Sequence, residues 1–218
     1  MVKSLTISYY YFTNLRYWHL FLPPCCNPGI SKTILMILSQ KKPLIADSAK
    51  NLNVISDFMI TRNETLAVAE SVTSGYLQVL LSSSVGASHF YQGGITSYNL
   101  NQKARHLSID PLKALQSNGV SEEVAAQMAI GVTQHFSCDW GIAITGYASP
   151  VPEQGIHTLF AFYSFAYKGE TLSTHILVSG LKDSVDVQHY YSTLVINNFA
   201  RYLDQLAMTP AHRDSMNA

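Results

Sequence analysis

The feature that most constrains this sequence is an alternation of short apolar runs with longer segments of helical periodicity. The run at residues 65–69 suits a buried strand, the hydroxyl-rich turn at 71–75 follows directly, and residues 76–81 then favour a helix. Further strands are predicted at 94–98 and 140–144. A repeated order of strand, polar turn and helix is typical of α/β domains, whose ligands lie beyond the carboxyl ends of the strands.

More helices and one hairpin complete the predicted fold. Apolar positions at helical spacing predict helices at 43–60, 99–107, 121–136 and 185–206. Ser121 is the predicted N-cap of the third of these. Strands at 158–166 and 170–178 are expected to pair as a hairpin. Strands that alternate with helices and end in a hairpin predict a three-layer α/β/α domain with a mixed sheet.

Composition narrows the possible partners. Lys plus Arg and Asp plus Glu number 14 each, so the net charge is zero and nucleic acid is not an expected partner. Only 13% of the residues are charged, which predicts apolar surface for a subunit contact and hence a homo-oligomer. No run approaches the roughly 20 apolar residues of a membrane span, so no membrane partner is predicted.

The cysteines and histidines indicate neither a disulfide framework nor a metal centre. Three cysteines are present, two of them adjacent, and no Cys-x-x-Cys or Cys/His ligand spacing occurs. The eight histidines are scattered, without the H-E-x-x-H pattern of zinc enzymes. A reducing, cytoplasmic location without metal or other cofactor is therefore expected.

The chain is predicted to contain one domain, at residues 44–208. Residues 1–43 begin with an aromatic segment that is interrupted by polar residues and lacks a signal-peptide cleavage site, so we interpret them as an unstructured extension or a start codon assigned too early. Residues 209–218 are interpreted as a flexible tail.

Three strand-end segments carry the candidate site residues. In the first, Glu70, Ser71, Thr73, Ser74 and Gly75 lie where the dipole of the following helix favours an anion. Composition alone favours the alternative that Ser71, Thr73 or Ser74 merely caps that helix.

In the second segment, which includes Gly94, Lys103 lies one helical turn beyond the strand-end Tyr98 and could reach a nucleophilic hydroxyl. The ordinary alternative is a solvated lysine. In the third, Thr145 and Gly146 begin a turn where the backbone can approach a ligand closely, unless the turn is purely structural.

Taken together, these segments resemble a known family. Residues 69–75 read AESVTSG, residues 93–103 read GGITSYNLNQK and residues 145–150 read TGYASP. Their order and spacing resemble the CinA carboxy-terminal domain, with its patterns AES-C-T-GG, GG-x-x-x-Y-x-x-x-x-K and TG-x-AGP. The resemblance covers residues 44–206.

The resemblance implies hydrolysis of nicotinamide mononucleotide, a small nucleotide, to nicotinate mononucleotide and ammonia. In this chain it makes Ser71 the nucleophile, Lys103 its general base and Tyr98 a neighbour that orients or shares the proton. Thr73, Ser74, Gly75 and Gly146 would cradle the phosphate or ribose of the substrate. Further substrate-binding residues would be Glu70, Gly94 and Thr145.

The sequence also departs from the family pattern. Val72 replaces a cysteine, while Ser74 and Ser149 replace glycines. The glycine-rich stretch that ends in K-P-V-G-T is shortened here, and the arginines near the last helix are missing. The alternative function is therefore a non-catalytic nucleotide-binding or structural domain of the same fold.

Overall fold

The structure, a computed structural model, describes residues 42–208, with side chains from residue 49 onward. The predicted extension lies outside the described residues except for its last two positions, and the predicted tail lies wholly outside them. Eight helices, one of them a short 3₁₀ turn, and five strands make up the described part.

The elements follow one another in the predicted alternation. In chain order they are α1 (Lys42–Arg62), β1 (Leu66–Glu70), α2 (Tyr76–Ser82), α3 (Ala87–Phe90), β2 (Tyr91–Thr96), α4 (Leu100–Leu107), α5 (Pro111–Gln116), α6 (Glu122–Phe136), β3 (Trp140–Gly146), a 3₁₀ turn (Pro152–Gln154), β4 (Leu159–Tyr167), β5 (Glu170–Ser179) and α7 (Ser184–Met208). Among these helices none has the length and apolarity needed to cross a bilayer.

The five strands form one mixed sheet in the order β2-β1-β3-β4-β5. β1 runs parallel to both β2 and β3, whereas β4 pairs antiparallel with β3 and with β5. The sheet is therefore parallel at one side and a hairpin at the other. The predicted mixed sheet is confirmed.

A separate apolar cluster covers each face of the sheet. On one face, α1, α2 and α7 bury Ile55, Leu77 and Phe199 against the even-numbered side chains of β1. On the other face, α4, α5 and α6 bury Leu107 and Met128 against small side chains of β1 and β3. The helices lie on both sides because alternate residues of a strand point to opposite faces. The predicted three-layer α/β/α architecture is confirmed.

Local signals located most boundaries to within two residues. Ser121 caps α6 as predicted, its hydroxyl accepting the amide hydrogen of Val124 at 3.2 Å. The second strand is displaced: β2 spans Tyr91–Thr96 rather than 94–98, because Gly93 and Gly94 lie inside the strand instead of starting it. The helix α5 was not predicted. It begins at Pro111, and the carboxylate of the preceding Asp110 caps it.

The parallel register brings three turns to one edge of the sheet. Glu70 is the residue of β1 paired with both Thr96 of β2 and Ile144 of β3. Just beyond it, the amide of Ser71 donates to the carbonyl of Ile144 at 3.0 Å, and the amide of Ser97 donates to the carbonyl of Glu70 at 2.8 Å. The candidate residues of all three segments thus lie in or just beyond the last residues of strands that end at one edge, except Lys103, which lies on α4.

Candidate active site

A serine and a lysine are in direct contact at this edge. Ser71 follows β1 immediately, and Lys103 lies one turn into α4. The Nζ atom of Lys103 donates to the Oγ atom of Ser71 at 2.8 Å, and the two residues are only 3% and 5% exposed. The amide hydrogen of Gln102 bonds to the side chain of Asn99 and anchors the start of α4, which aims Lys103 back at the strand end.

Burial makes the Lys103 amine a weaker base than an ordinary lysine. It lowers the pKa of Lys103 from 10.5 to about 8, and no charged neighbour contributes to that change. Of the residues described, only Lys113 forms an ion pair, with Glu123 on the exposed surface at 3.0 Å. A pKa of about 8 leaves roughly one amine in ten neutral at pH 7. Lys103 can therefore accept a proton from Ser71 near neutral pH.

Glu70, a predicted ligand-binding residue, accepts hydrogen bonds from groups of the protein. Its carboxylate is fully buried and accepts the amide hydrogens of Gly75, Leu77 and Gln78 at 3.0, 3.1 and 2.9 Å. The hydroxyl of Thr73 donates to the same carboxylate at 2.6 Å. The Glu70 carboxylate is therefore the anion expected at the start of α2, and it neutralises that end of the helix dipole.

The turn between β1 and α2 keeps three amide groups without a protein partner. No acceptor in the described part of the chain takes the amide hydrogens of Val72, Thr73 or Ser74. Ser74 has a left-handed backbone, with a φ of 52°, and its exposed hydroxyl accepts a bond of 3.3 Å from the side chain of Gln188 on α7. The free amides immediately follow the Ser71 hydroxyl, where a donor for developing negative charge is needed.

Thr145 and Gly146 lie at the end of β3 but contact protein. The Thr145 hydroxyl is fully buried and donates to the carbonyl of Gly119 at 2.7 Å. A Cβ atom on Gly146 would lie 2.5 Å from the carbonyl oxygen of Phe160, and one on Gly94 would lie 2.6 Å from a methyl group of Val68. Gly146 leaves room for the neighbouring strand β4, and Gly94 leaves room for β1 and for Gln78 of α2, so no free surface for a ligand is required to explain them.

The structure does not bring Tyr98 to the serine–lysine pair. Its side chain is 73% exposed and makes no hydrogen bond with Ser71 or Lys103. The proton-sharing role implied for Tyr98 stays a prediction. Because Tyr98 is exposed at the rim of the site, it can contact a bound molecule.

Sequence reasoning missed a third hydroxyl at the site. Ser97 is fully buried and directly follows Thr96, the β2 residue paired with Glu70, and its Oγ atom has no hydrogen-bond partner among the described residues. Gly119 was also missed: a Cβ atom there would lie 3.6 Å from the Nζ atom of Lys103, so this glycine is a neighbour of the amine. Ser97 falls within the segment 93–103 that carries part of the family resemblance, whereas Gly119 lies outside the three segments, and nothing in the local pattern marks either residue.

Among the described residues, neither Cys138 nor a metal-binding cluster offers an alternative reactive site. Burial raises the pKa of Cys138 to about 11, so its thiol is protonated at neutral pH and not activated for attack. Within residues 42–208, no group of three His, Cys, Asp or Glu side chains is placed to hold a metal ion. The Ser71–Lys103 contact is the arrangement best suited to reaction.

Fold and site together define an α/β/α domain with a buried serine–lysine pair at the carboxyl ends of its parallel strands. A model of the CinA C-terminal domain family matches residues 49–195. The chain belongs to the CinA C-terminal domain family.

Sequence relatives share this domain. A CinA-like protein from Picosynechococcus sp. is 46% identical over 105 residues, covering 48% of this chain and 25% of the relative. A CinA-like protein from Thermosynechococcus vestitus is 34% identical over 155 residues, covering 68% of this chain and 36% of the relative. The match thus spans only a quarter to about a third of the length of these relatives.

Solved structures share the fold. A competence-damaged protein (CinA) superfamily protein from Enterobacter cloacae superposes with a TM-score of 0.66 at 26% identity, over 72% of this chain and 92% of that one. The corresponding superfamily protein from Escherichia coli gives a TM-score of 0.64 at 26% identity, over 71% and 90% of the two chains. The architecture is therefore that of the CinA superfamily.

Proposed function

We propose that this domain hydrolyses a small carboxamide by a Ser/Lys mechanism, with nicotinamide mononucleotide as the substrate. The observation that carries the proposal is the 2.8 Å contact between the Lys103 amine and the Ser71 hydroxyl, with both side chains buried. A surface serine–lysine pair would be solvated, and its lysine would hold its proton too tightly to act as a base.

The proposed reaction begins with proton transfer. The neutral Lys103 amine takes the proton of the Ser71 hydroxyl while Oγ attacks the carboxamide carbon. The tetrahedral intermediate then collapses as its C–N bond breaks, and the Lys103 ammonium returns a proton to the departing nitrogen, which leaves as ammonia. Water, deprotonated by the same amine, hydrolyses the resulting ester to the carboxylate and regenerates Ser71.

The negative charge on the intermediate needs hydrogen-bond donors near Ser71. The amide groups of Val72, Thr73 and Ser74 are the donors without a protein partner in this turn. Glu70 occupies the amides that follow them, so the helix amides beyond Ser74 are closed to substrate. We therefore assign oxyanion stabilisation to the first three amides after the nucleophile.

The substrate assignment has its support in the family resemblance. Nicotinamide mononucleotide supplies the carboxamide on which the serine would act, and its phosphate requires a separate site because Glu70 fills the start of α2. Tyr98, exposed at the rim, is a candidate to contact the substrate.

A second candidate function is nucleotide binding without hydrolysis. One observation favours it: where α7 meets the catalytic turn, the side chain that reaches Ser74 is the neutral amide of Gln188 rather than a cation. A neutral amide holds a phosphate less strongly than an arginine does, and a poorly held substrate is poorly aligned for attack.

The decisive experiment measures ammonia release from nicotinamide mononucleotide by the full-length protein and its variants. Ser71→Ala and Lys103→Met should each reduce the rate by about a thousandfold or more, because each removes a partner of the same proton transfer. Lys113→Met is the matched control, since Lys113 is an exposed lysine outside the site and its loss should leave the rate unchanged.

Three other results would count against the proposal. A wild-type protein that is stabilised by nicotinamide mononucleotide yet releases no ammonia between pH 7 and 9.5 would select the binding function. A protein with neither effect would exclude this substrate. Ammonia release that survives Ser71→Ala would place the chemistry on another residue.

A further inference from the structure

The turn next to Lys103 is held by two hydrogen bonds to residues outside it. This turn, Ser117–Ser121, joins α5 to α6, and Gly119 at its centre has a left-handed backbone with a φ of 72°. The Thr145 hydroxyl bonds to the carbonyl of Gly119 at 2.7 Å. On the solvent side, the side-chain amide of Asn118 donates to Gln154 at 3.0 Å.

Gly119 is the residue of this turn that meets the lysine. A Cβ atom built on it would lie 3.6 Å from both Cδ and Nζ of Lys103, which is ordinary van der Waals contact with the end of the side chain. The buried amine thus contacts the Ser71 hydroxyl and has the Gly119 turn as a neighbour, at a separation that a single methyl group would fill. Displacing the turn would open the amine to water.

We infer that Thr145 is a positioning residue for Lys103: by holding the carbonyl of Gly119, its hydroxyl keeps the turn packed against the amine and excludes water from it. Thr145 was predicted to bind substrate, but its complete burial and its bond to Gly119 give it this different task. The inference concerns the site of the proposed function, yet it makes a prediction that does not depend on hydrolysis.

We attribute the lowered pKa of Lys103 to the exclusion of water, because no neighbouring charge contributes to it. α4 packs against α5 and α6, and burial is the cause that lowers the pKa of Lys103. The ionisable side chains of these helices and of the neighbouring strand end are Arg105 and His106 on α4, Lys113 on α5, Glu122, Glu123 and His135 on α6, and Glu70 on β1. Glu70 is turned to the amides of α2, and Lys113 pairs with Glu123 at the surface.

The test is a titration of the Lys103 amine itself. Full-length protein labelled with ¹³C and ¹⁵N at lysine is followed by NMR from pH 6 to 11, and the Lys103 signal is assigned by its loss in Lys103→Met. Thr145→Val removes the hydroxyl at nearly constant volume. The midpoint for Lys103 should then rise by about one pH unit or more towards 10.5, which is a tenfold or greater gain in proton affinity.

Two variants separate this effect from a general loss of packing. Thr145→Ser keeps the hydroxyl and should restore the wild-type midpoint. Thr133→Val removes another buried threonine hydroxyl, which donates to the carbonyl of Ile130 at 2.7 Å within α6, and should leave the midpoint unchanged. Where Thr145→Val does not fold, Thr145→Ala removes the hydroxyl without placing a methyl group against the Gly119 carbonyl.

An unchanged Lys103 midpoint in a folded Thr145→Val or Thr145→Ala protein would overturn the inference. So would an equal rise in Thr133→Val. Because the titration needs no substrate, these outcomes remain distinct from failure of the amidase proposal, which is judged by ammonia release alone.

Discussion

The Oε1 atom of Glu70 accepts the amide hydrogen of Gln78 at 2.9 Å, and through this contact a residue at the end of β1 fixes the first turn of α2. The other carboxylate oxygen takes the amides of Gly75 and Leu77. One buried side chain thereby supplies the acceptors that a helix start otherwise finds in a capping residue or a bound anion.

Replacing Glu70 with glutamine should destabilise the protein. Glutamine keeps the size but places an NH₂ group against amide donors and removes the charge that complements the helix dipole. We expect the free energy of unfolding to fall by about 2 kcal/mol, measured by urea denaturation. Glu153→Gln, at an exposed position, is the control and should change little. Equal stability of the two variants would show that the carboxylate is not required at the helix start.

Hydrolysis should depend on pH through Lys103. Because the base must be neutral, the rate should rise about tenfold per pH unit below pH 8 and level off above it, with a midpoint near the pKa of about 8. The measurement is ammonia release from nicotinamide mononucleotide between pH 6 and 9.5. A rate that falls over this range would contradict a lysine base.

Lys103 should also cost the folded protein stability at neutral pH. Its pKa is about 8 when folded and 10.5 in an ordinary setting, so between these values the unfolded chain binds more protons and stability rises with pH. Below pH 8 the folded protein bears the full cost of the buried charge, roughly 3 kcal/mol.

Lys103→Met removes that cost. The variant should therefore be more stable than wild type at pH 7, with an advantage that shrinks as pH rises from 8 towards 10.5. Urea unfolding of both proteins at each pH gives the difference and cancels the other titrating groups. A difference that stays constant with pH would mean that the Lys103 amine titrates normally in the folded protein.

Gly131 on α6 allows α4 to approach closely. A Cβ atom there would lie 2.2 Å from the carbonyl oxygen of Leu107, the last residue of α4. Gly131→Ala should force the two helices apart and lower the free energy of unfolding by about 2 kcal/mol or more. Gly180→Ala is the control, because nothing lies within 4 Å of its Cβ position. Thermal melting of both variants tests the contrast, and a Gly131→Ala protein as stable as the control would refute it.

The buried Ser97 hydroxyl should contribute no stability, since no group in the described part of the chain bonds to it. Removing an unpaired buried hydroxyl leaves stability unchanged or raises it by up to about 1 kcal/mol. Ser164→Ala is the comparison, because the Ser164 hydroxyl donates to the carbonyl of Ser173 at 2.9 Å and accepts from Thr174 at 3.0 Å. We expect Ser164→Ala to lose about 1 kcal/mol by urea unfolding. A similar loss in Ser97→Ala would show that its hydroxyl is paired, for example with water.

The strands and helices were predictable because their signals are local. Apolar runs and the Ser121 cap depend only on neighbouring residues, so β1, β3 and α6 agree closely with expectation. β2 was displaced since two glycines look like a strand boundary, whereas here they let α2 and α6 pack closely on the strand. α5 is short, and its capping signal at Asp110 was not recognised as a helix start.

The site was predictable only in part, because some of its residues act through contacts between distant parts of the chain. The proximity of Ser71 and Lys103 was expected from the family resemblance, and the 2.8 Å contact agrees with it. The tasks of Glu70 and Thr145 follow from tertiary contacts, since the Thr145–Gly119 bond joins residues 26 positions apart. No local pattern distinguishes a threonine that binds a ligand from one that fixes a distant turn.

The parallel pairing of β1 with β2 and β3 has a consequence for how the protein acquires its site during folding. Ser71 and Lys103 are 32 residues apart and belong to different crossovers of the sheet. Helices can form before the sheet does, but parallel strands pair only after long loops have closed. In a refolding time course, the lysine amine therefore acquires its dry surroundings after the helical signal has recovered, and the titration of that one side chain marks completion of the native sheet.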